Sequence, residues 1–103
     1  MGYTCRVYEI IRSATFDEWL TNLVDGKARA RIAARIDRLA AGNPGLVNDV
    51  GAGVSELKID YGPGYRVYYK RTGKFVLVLF CGGTKGTQAA DIKRAIAMAK
   101  AWK

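Results

Sequence analysis

The chain has 103 residues, 50% of them apolar, enough for one domain to bury a core without disulfide or metal staples. Its 17 lysines and arginines against 9 aspartates and glutamates leave a net charge of +8, which points to a polyanionic partner, either nucleic acid or an acidic protein. Histidine is absent, which removes the commonest neutral-pH general base and the commonest metal ligand, so any chemistry must run on Lys, Arg, Tyr, Asp or Glu.

Residues 4 to 12 carry Val7, Ile10 and Ile11 among Cys5 and Tyr8, a β-branched and aromatic enrichment that predicts a first strand. Thr15 and Glu18 have capping-box spacing, with Thr15 as N-cap, and the helix that follows gathers Phe16, Trp19, Leu20 and Leu23 into an apolar stripe. Asp25 and Gly26 break it. A second helix over 27 to 41 turns Ala28, Ile32, Ile36 and Leu39 to one side and sets Arg31, Arg35 and Arg38 along another line, a basic row suited to RNA. The cluster from Gly42 to Gly45 ends this helix, and a polar loop is expected as far as Gly53.

Three strands follow in the expected order. Residues 54 to 60 and 65 to 71 alternate, while 75 to 81 are apolar throughout, as in a strand covered on both faces. The turns between them are Tyr61-Gly62-Pro63-Gly64 and Arg71-Thr72-Gly73-Lys74, so the three form an antiparallel meander. Thr87 is placed to cap a last helix whose buried stripe is Ala89, Ile92, Ala95, Ile96, Ala99 and Trp102. The expected fold is one α+β domain over 1 to 103, of order β-α-α-β-β-β-α, an antiparallel sheet with a helical hairpin and a C-terminal helix. The first strand and the strand at 54 to 60 should run in opposite directions. The helices should cover one side of the sheet and leave part of the other open.

The hairpin concentrates charge. Lys58 shares a face with Glu56 and Asp60, and Arg66, Tyr68 and Lys70 share a face of the next strand. Cations beside aromatic rings suit a phosphate backbone with exposed bases, with Tyr68 or the turn residue Tyr61 as the stacking ring. Arg66 could equally pair with Glu56 or Asp60. The Gly82-Gly83 pair is too short for a dinucleotide fingerprint, so no nucleotide cofactor is expected, and no metal site is apparent. The two cysteines, Cys5 and Cys81, lack ligand spacing and suggest buried free thiols in a reducing cytoplasm. No stretch has the length of a membrane span or the pattern of a signal peptide.

The element order, the block from Leu57 to Tyr68 (Leu-Lys-Ile-Asp-Tyr-Gly-Pro-Gly-Tyr-Arg-Val-Tyr) and the block from Gly82 to Ile92 (Gly-Gly-Thr-Lys-Gly-Thr-Gln-Ala-Ala-Asp-Ile) resemble the RelE/ParE toxin superfamily, in its HigB-like, phage-derived addiction module killer branch. The resemblance spans nearly the whole chain. It implies a toxin of a type II toxin-antitoxin module. Many such toxins are mRNA interferases, endoribonucleases that cut mRNA in the ribosomal A site and so inhibit translation, and the ParE branch instead poisons DNA gyrase. The partners implied are a cognate antitoxin and ribosome-bound mRNA. By this resemblance Arg66 matches the Arg of the Gly-Tyr-Arg element, Lys58 a lysine of the preceding strand, and Lys85 a second phosphate-binding position. Glu56 stands where RelE-type enzymes carry another lysine, and Asp91 near their catalytic tyrosine.

Metal-free RNA cleavage needs a base for the 2′-hydroxyl proton, cations for the charge growing on phosphate, and an acid for the leaving oxygen. Lys58 is the candidate base, with Arg66 and Lys85 clamping the phosphate and Asp91 as a further catalytic or orienting group. A relative that binds without cleaving is the remaining alternative.

Overall fold

The computed structural model describes residues 6–102. The elements are β1 (Glu9–Arg12), α1 (Ala14–Thr21), α2 (Gly26–Ala40), β2 (Val47–Gly51), β3 (Val54–Ile59), β4 (Tyr65–Gly73), β5 (Val76–Thr84), a one-turn 3-10 helix (Lys85–Thr87) and α3 (Gln88–Ala101). They form an α+β fold around one five-stranded sheet of order β1-β5-β4-β3-β2. β1 pairs with β5 in parallel, and every other neighbouring pair is antiparallel, so the sheet is mixed rather than wholly antiparallel. Positions 4 and 5 of the expected first strand lie outside the described residues.

The expected polar loop to Gly53 contains β2, a strand whose short, polar sequence Val-Asn-Asp-Val-Gly hides its pattern. Its pairing with β3 supplies the edge partner that stabilises it. Ala52 and Gly53, both at positive φ, make the tight turn. The additional strand also reverses a direction. β3 is antiparallel to β4 and β4 to β5, so β3 runs parallel to β1, against expectation; it is β2 that runs opposite to β1.

Helices cover both faces of the sheet, which corrects the expectation of an open side. α1 and α2 bury Phe16, Ile32 and Leu39 against Leu57, Val67 and Leu79. On the other face α3 packs Ala95 and Ala99 against Val54, Tyr68 and Phe80. Ala89 is exposed and Trp102 lies past the end of α3, where its ring meets Phe80 edge-on at 5.9 Å. Among the described residues, no helix is long and apolar enough to cross a membrane.

A bulge in β5 sets how the layers meet. Tyr68 pairs with Cys81 and Tyr69 with Leu79, leaving Phe80 as the extra residue, so Phe80 and Cys81 both enter the α3-side core. Ser13 recognises this bulge, donating from Oγ to the Phe80 carbonyl at 2.6 Å while accepting from the Phe16 amide at 3.0 Å. The N-cap of α1 is therefore Ser13, not Thr15. A serine that ends a strand and starts a helix can satisfy both backbones. Just beyond the bulge, a Cβ on Gly82 would lie 2.3 Å from Trp19 of α1, and one on Gly83 would lie 1.8 Å from the Asp91 carboxylate of α3. The glycine pair lets helices approach the strand from both sides.

Ser13→Ala should lower stability by about 1–2 kcal/mol in urea denaturation, because it orphans a helix donor and a bulge carbonyl. Thr15→Ala should stay within about 0.5 kcal/mol, as expected for a residue outside the cap.

Candidate functional site

The β3–β4 turn and the start of α3 are stitched together by backbone. The Gly64 amide donates to the Tyr61 carbonyl at 3.1 Å, and the Lys85 amide donates to the Gly64 carbonyl at 2.8 Å. Gly64 has φ +80°, and a Cβ there would sit 3.2 Å from Arg66 Nη1 and 3.5 Å from Lys85 Cβ. Only glycine allows this turn to lie so close to both cations.

Lys58 on β3 and Arg66 on β4 are direct cross-strand partners. Like charges at opposed positions repel, so the pairing is maintained against its own electrostatics. Both side chains line a cleft of about 320 Å³ with Lys85, Asp60, Leu46 and the turn residues Gly62, Pro63 and Gly64. The structure thus brings Lys58, Arg66 and Lys85 together, with Asp60 the one carboxylate among the described lining residues. Three cations around a small opening make an anion-binding site suited to a phosphate.

Behind Arg66 lies Glu56, fully buried. Its Oε2 accepts from Tyr68 Oη at 2.8 Å and from Gln88 Nε2 at 2.7 Å, and Arg66 Nε stands 3.9 Å away. Arg66 is itself buried to 9% exposure and donates from Nη1 to the Tyr65 carbonyl at 3.2 Å. Tyr68 is consequently not a stacking ring: it is fully buried under α3, its hydroxyl spent on Glu56. Burial, and then the Glu56 carboxylate, push its phenol pKa well up.

Asp91 does not line the cleft. Its buried carboxylate accepts from Thr87 Oγ1, and Arg94 lies 3.8 Å away, so it organises the first turn of α3. Tyr61 is occupied as well, with the Arg31 guanidinium 4.7 Å from its ring centre and its hydroxyl donating to Asp25 at 3.3 Å. Lys70 pairs with Val54 and lies along Gly53, four residues along β4 from Arg66 and hence about 13 Å away. It belongs to the far end of the hairpin.

The basic row of α2 divides. Arg35 is spent internally, donating to the Lys58 carbonyl at 2.6 Å and the Pro44 carbonyl at 2.7 Å. It fastens α2 to β3 directly behind the cleft. Arg31 and Arg38 remain exposed and, with Asp60, line an adjoining groove of about 270 Å³. Among the described residues, no group of three or more His, Cys, Asp or Glu side chains is placed to hold a metal.

Sequence reasoning missed Gln88 and the depth of Glu56. Counting outward from the turn opposes Glu56 to Tyr68, which was the available signal for their bond; nothing local announces that Gln88 reaches across from another element.

No family model matches the chain. It is 47% identical over 92 residues, 89% of this chain and 93% of the relative, to an uncharacterized protein of Haemophilus influenzae. At that identity and coverage the chain belongs to one family with the Haemophilus protein.

Two predictions follow from the geometry. Arg35→Ala should cost about 2 kcal/mol in thermal or denaturant unfolding through lost charge-assisted bonds, whereas Arg38→Ala should change stability by less than about 0.5 kcal/mol. The second concerns alkali. Burial pushes the Cys81 thiol up to about 11 from its ordinary 9.0, against the lowering pull of Arg94 and with a further rise from Asp91. An acid whose folded pKa is raised gives stability that is complete below its unfolded value and lost as pH climbs through the folded one. The melting temperature should therefore fall between pH 9 and 11, and Cys81→Ala should flatten that slope.

Proposed function

We propose that this member of the family is the toxin of a type II toxin-antitoxin module, a metal-independent endoribonuclease that cuts mRNA on the ribosome. The observation that carries the reading is the convergence of Lys58, Arg66 and Lys85 on one cleft, with Lys58 and Arg66 forced into cross-strand opposition. A like-charge pair of this kind serves folding poorly and serves a phosphodiester well. The resemblance of the two sequence blocks to RelE/ParE toxins supplies the substrate class.

In this mechanism Arg66 and Lys85 grip the non-bridging oxygens of the scissile phosphate. Lys58, in its uncharged amine form, takes the 2′-hydroxyl proton and becomes an ammonium, the 2′-oxygen bonds to phosphorus, and the bond to the 5′-oxygen breaks. Lys85 returns a proton to that oxygen, leaving a 2′,3′-cyclic phosphate and a 5′-hydroxyl. Arg31 and Arg38 extend the basic surface past Asp60 for flanking RNA, and an acidic segment of a cognate antitoxin is the natural inhibitor of such a surface. A second reading, binding to the ribosome without cleavage, is favoured by one observation: among the described residues lining the cleft there is no aromatic ring.

Expression of the chain should arrest translation, with toe-printing revealing new mRNA ends at ribosomal A sites. Lys85 is exposed, so Lys85→Ala should remain folded and cut mRNA at least about 10-fold more slowly. Arg66→Ala should lose about 100-fold or more, and circular dichroism must accompany it because it strands the buried Glu56 charge. Undiminished arrest by folded variants would remove the cleft from the mechanism. Ribosome co-sedimentation without new mRNA ends would favour the binding reading, and a DNA damage response would identify a gyrase poison.

A further inference from the structure

We propose that Glu56 is a positioning residue whose buried carboxylate aims the Arg66 guanidinium into the cleft and, through Gln88, ties the first turn of α3 behind Lys85 to the same anchor. The inference rests on the cleft being the working site and goes beyond its lining residues.

Glu56 is 0% exposed, a carboxylate at a depth where burial alone favours an apolar side chain. An apolar residue of similar volume would fill the space with far less desolvation. Its bonds are also lopsided. Oε2 serves the Tyr68 hydroxyl and the Gln88 amide and faces Arg66 Nε at 3.9 Å, while among the described residues Oε1 has no hydrogen-bond partner and neither does Arg66 Nε. An unpartnered buried acceptor and an unpartnered buried donor on the two halves of one ion pair describe attraction without a closed bond. Such a pair orients the guanidinium by charge; Nη1 is steadied by the Tyr65 carbonyl, and the side chain lines the cleft.

Gln88 links this anchor to the second cation. It is the first residue of α3, three positions after Lys85, whose own amide is held by Gly64. Tyr68 fixes Glu56 from the neighbouring strand. The carboxylate is thereby held from β4 and α3 together, and the cations of the cleft take their positions relative to it.

Glu56→Gln separates charge from packing, because the amide oxygen can still accept from Tyr68 and Gln88. The first readout is hydrogen exchange at Arg66 Nε by NMR. In the unmodified protein that proton should exchange at least about 10-fold more slowly than the one on exposed Arg38, and Glu56→Gln should remove most of the difference. The second is titration with inorganic phosphate, which Glu56→Gln should tighten roughly 2- to 10-fold by removing a nearby negative charge. The third is RNA cleavage, where kcat should drop about 10-fold or more while KM falls or holds. Those opposed signs separate positioning from a merely structural role, which would weaken stability and leave Arg66 exchange and the kcat-against-KM split untouched.

A folded Glu56→Gln protein with unchanged Arg66 exchange and unchanged phosphate affinity would overturn the assignment. So would an Arg66 Nε proton that exchanges as fast as that of Arg38 before any substitution, which keeps the test valid if the variant does not fold. If the unmodified protein cuts no RNA, the nuclease reading fails by itself, and the exchange and phosphate measurements still decide the role of Glu56.

Discussion

The opposition of Lys58 and Arg66 across β3 and β4 is the constraint around which the rest is arranged. Two cations side by side on a sheet need either solvent or a counter-charge, and this fold supplies both. The cleft gives them water in front, and the buried Glu56 stands behind Arg66. Without Glu56 the cation pair would keep Asp60 as the one carboxylate among the described residues lining its cleft. Removing Arg66 leaves a fully buried carboxylate with no other ion-pair partner among the described residues, the costlier defect of the two. The pair is therefore asymmetric: Arg66 is needed for the fold to tolerate Glu56, while Lys58 is free to serve a ligand.

Tight backbone contacts hold this arrangement in place. Gly64 brings the β3–β4 turn against Lys85, and Gly83 opens room for the Asp91 carboxylate above the strand neighbour of Arg66. Gly82 does the same for Trp19 on the opposite face. Because the bulge at Phe80 turns two successive side chains toward α3, the strand can be crowded by helices on both sides without losing its pairing to β4. Arg35 closes the third side by tying α2 to the backbone of Lys58 itself. The three cations of the cleft are consequently carried by β3, β4 and the 3-10 turn ahead of α3, while the hydrogen-bonded β3–β4 turn completes the lining.

Much of this was legible in the chain. The helical stripes of Ile32, Ile36 and Leu39 and of Ala95 and Ala99, the alternation through Lys58 and Arg66, and the turn at Gly62 to Gly64 all reflect local periodicity, which any one segment carries by itself. Grouping Lys58, Arg66 and Lys85 was also possible, from alternation together with a family resemblance. What stayed hidden depends on partners remote in sequence. β2 has too little hydrophobic signal to be seen without β3 beside it. Tyr68 looks like an exposed platform until α3 is known to cross that face, and Arg35 looks like one of a row until the carbonyls of Lys58 and Pro44 are in place.

The division has a physical basis. The amino-acid sequence alone determined the basic character, the lack of histidine, the elements with strong period and the cations that a hairpin would set on one face, because composition and short-range periodicity do not depend on folding. Only the tertiary structure decided the mixed sheet, the covering of both its faces, and which charges are spent internally and which face the cleft. Burial and pairing are properties of several segments at once. Glu56 is the clearest case: in the chain it is one more strand carboxylate, and only the approach of Tyr68, Gln88 and Arg66 from two other elements makes it the anchor of the site.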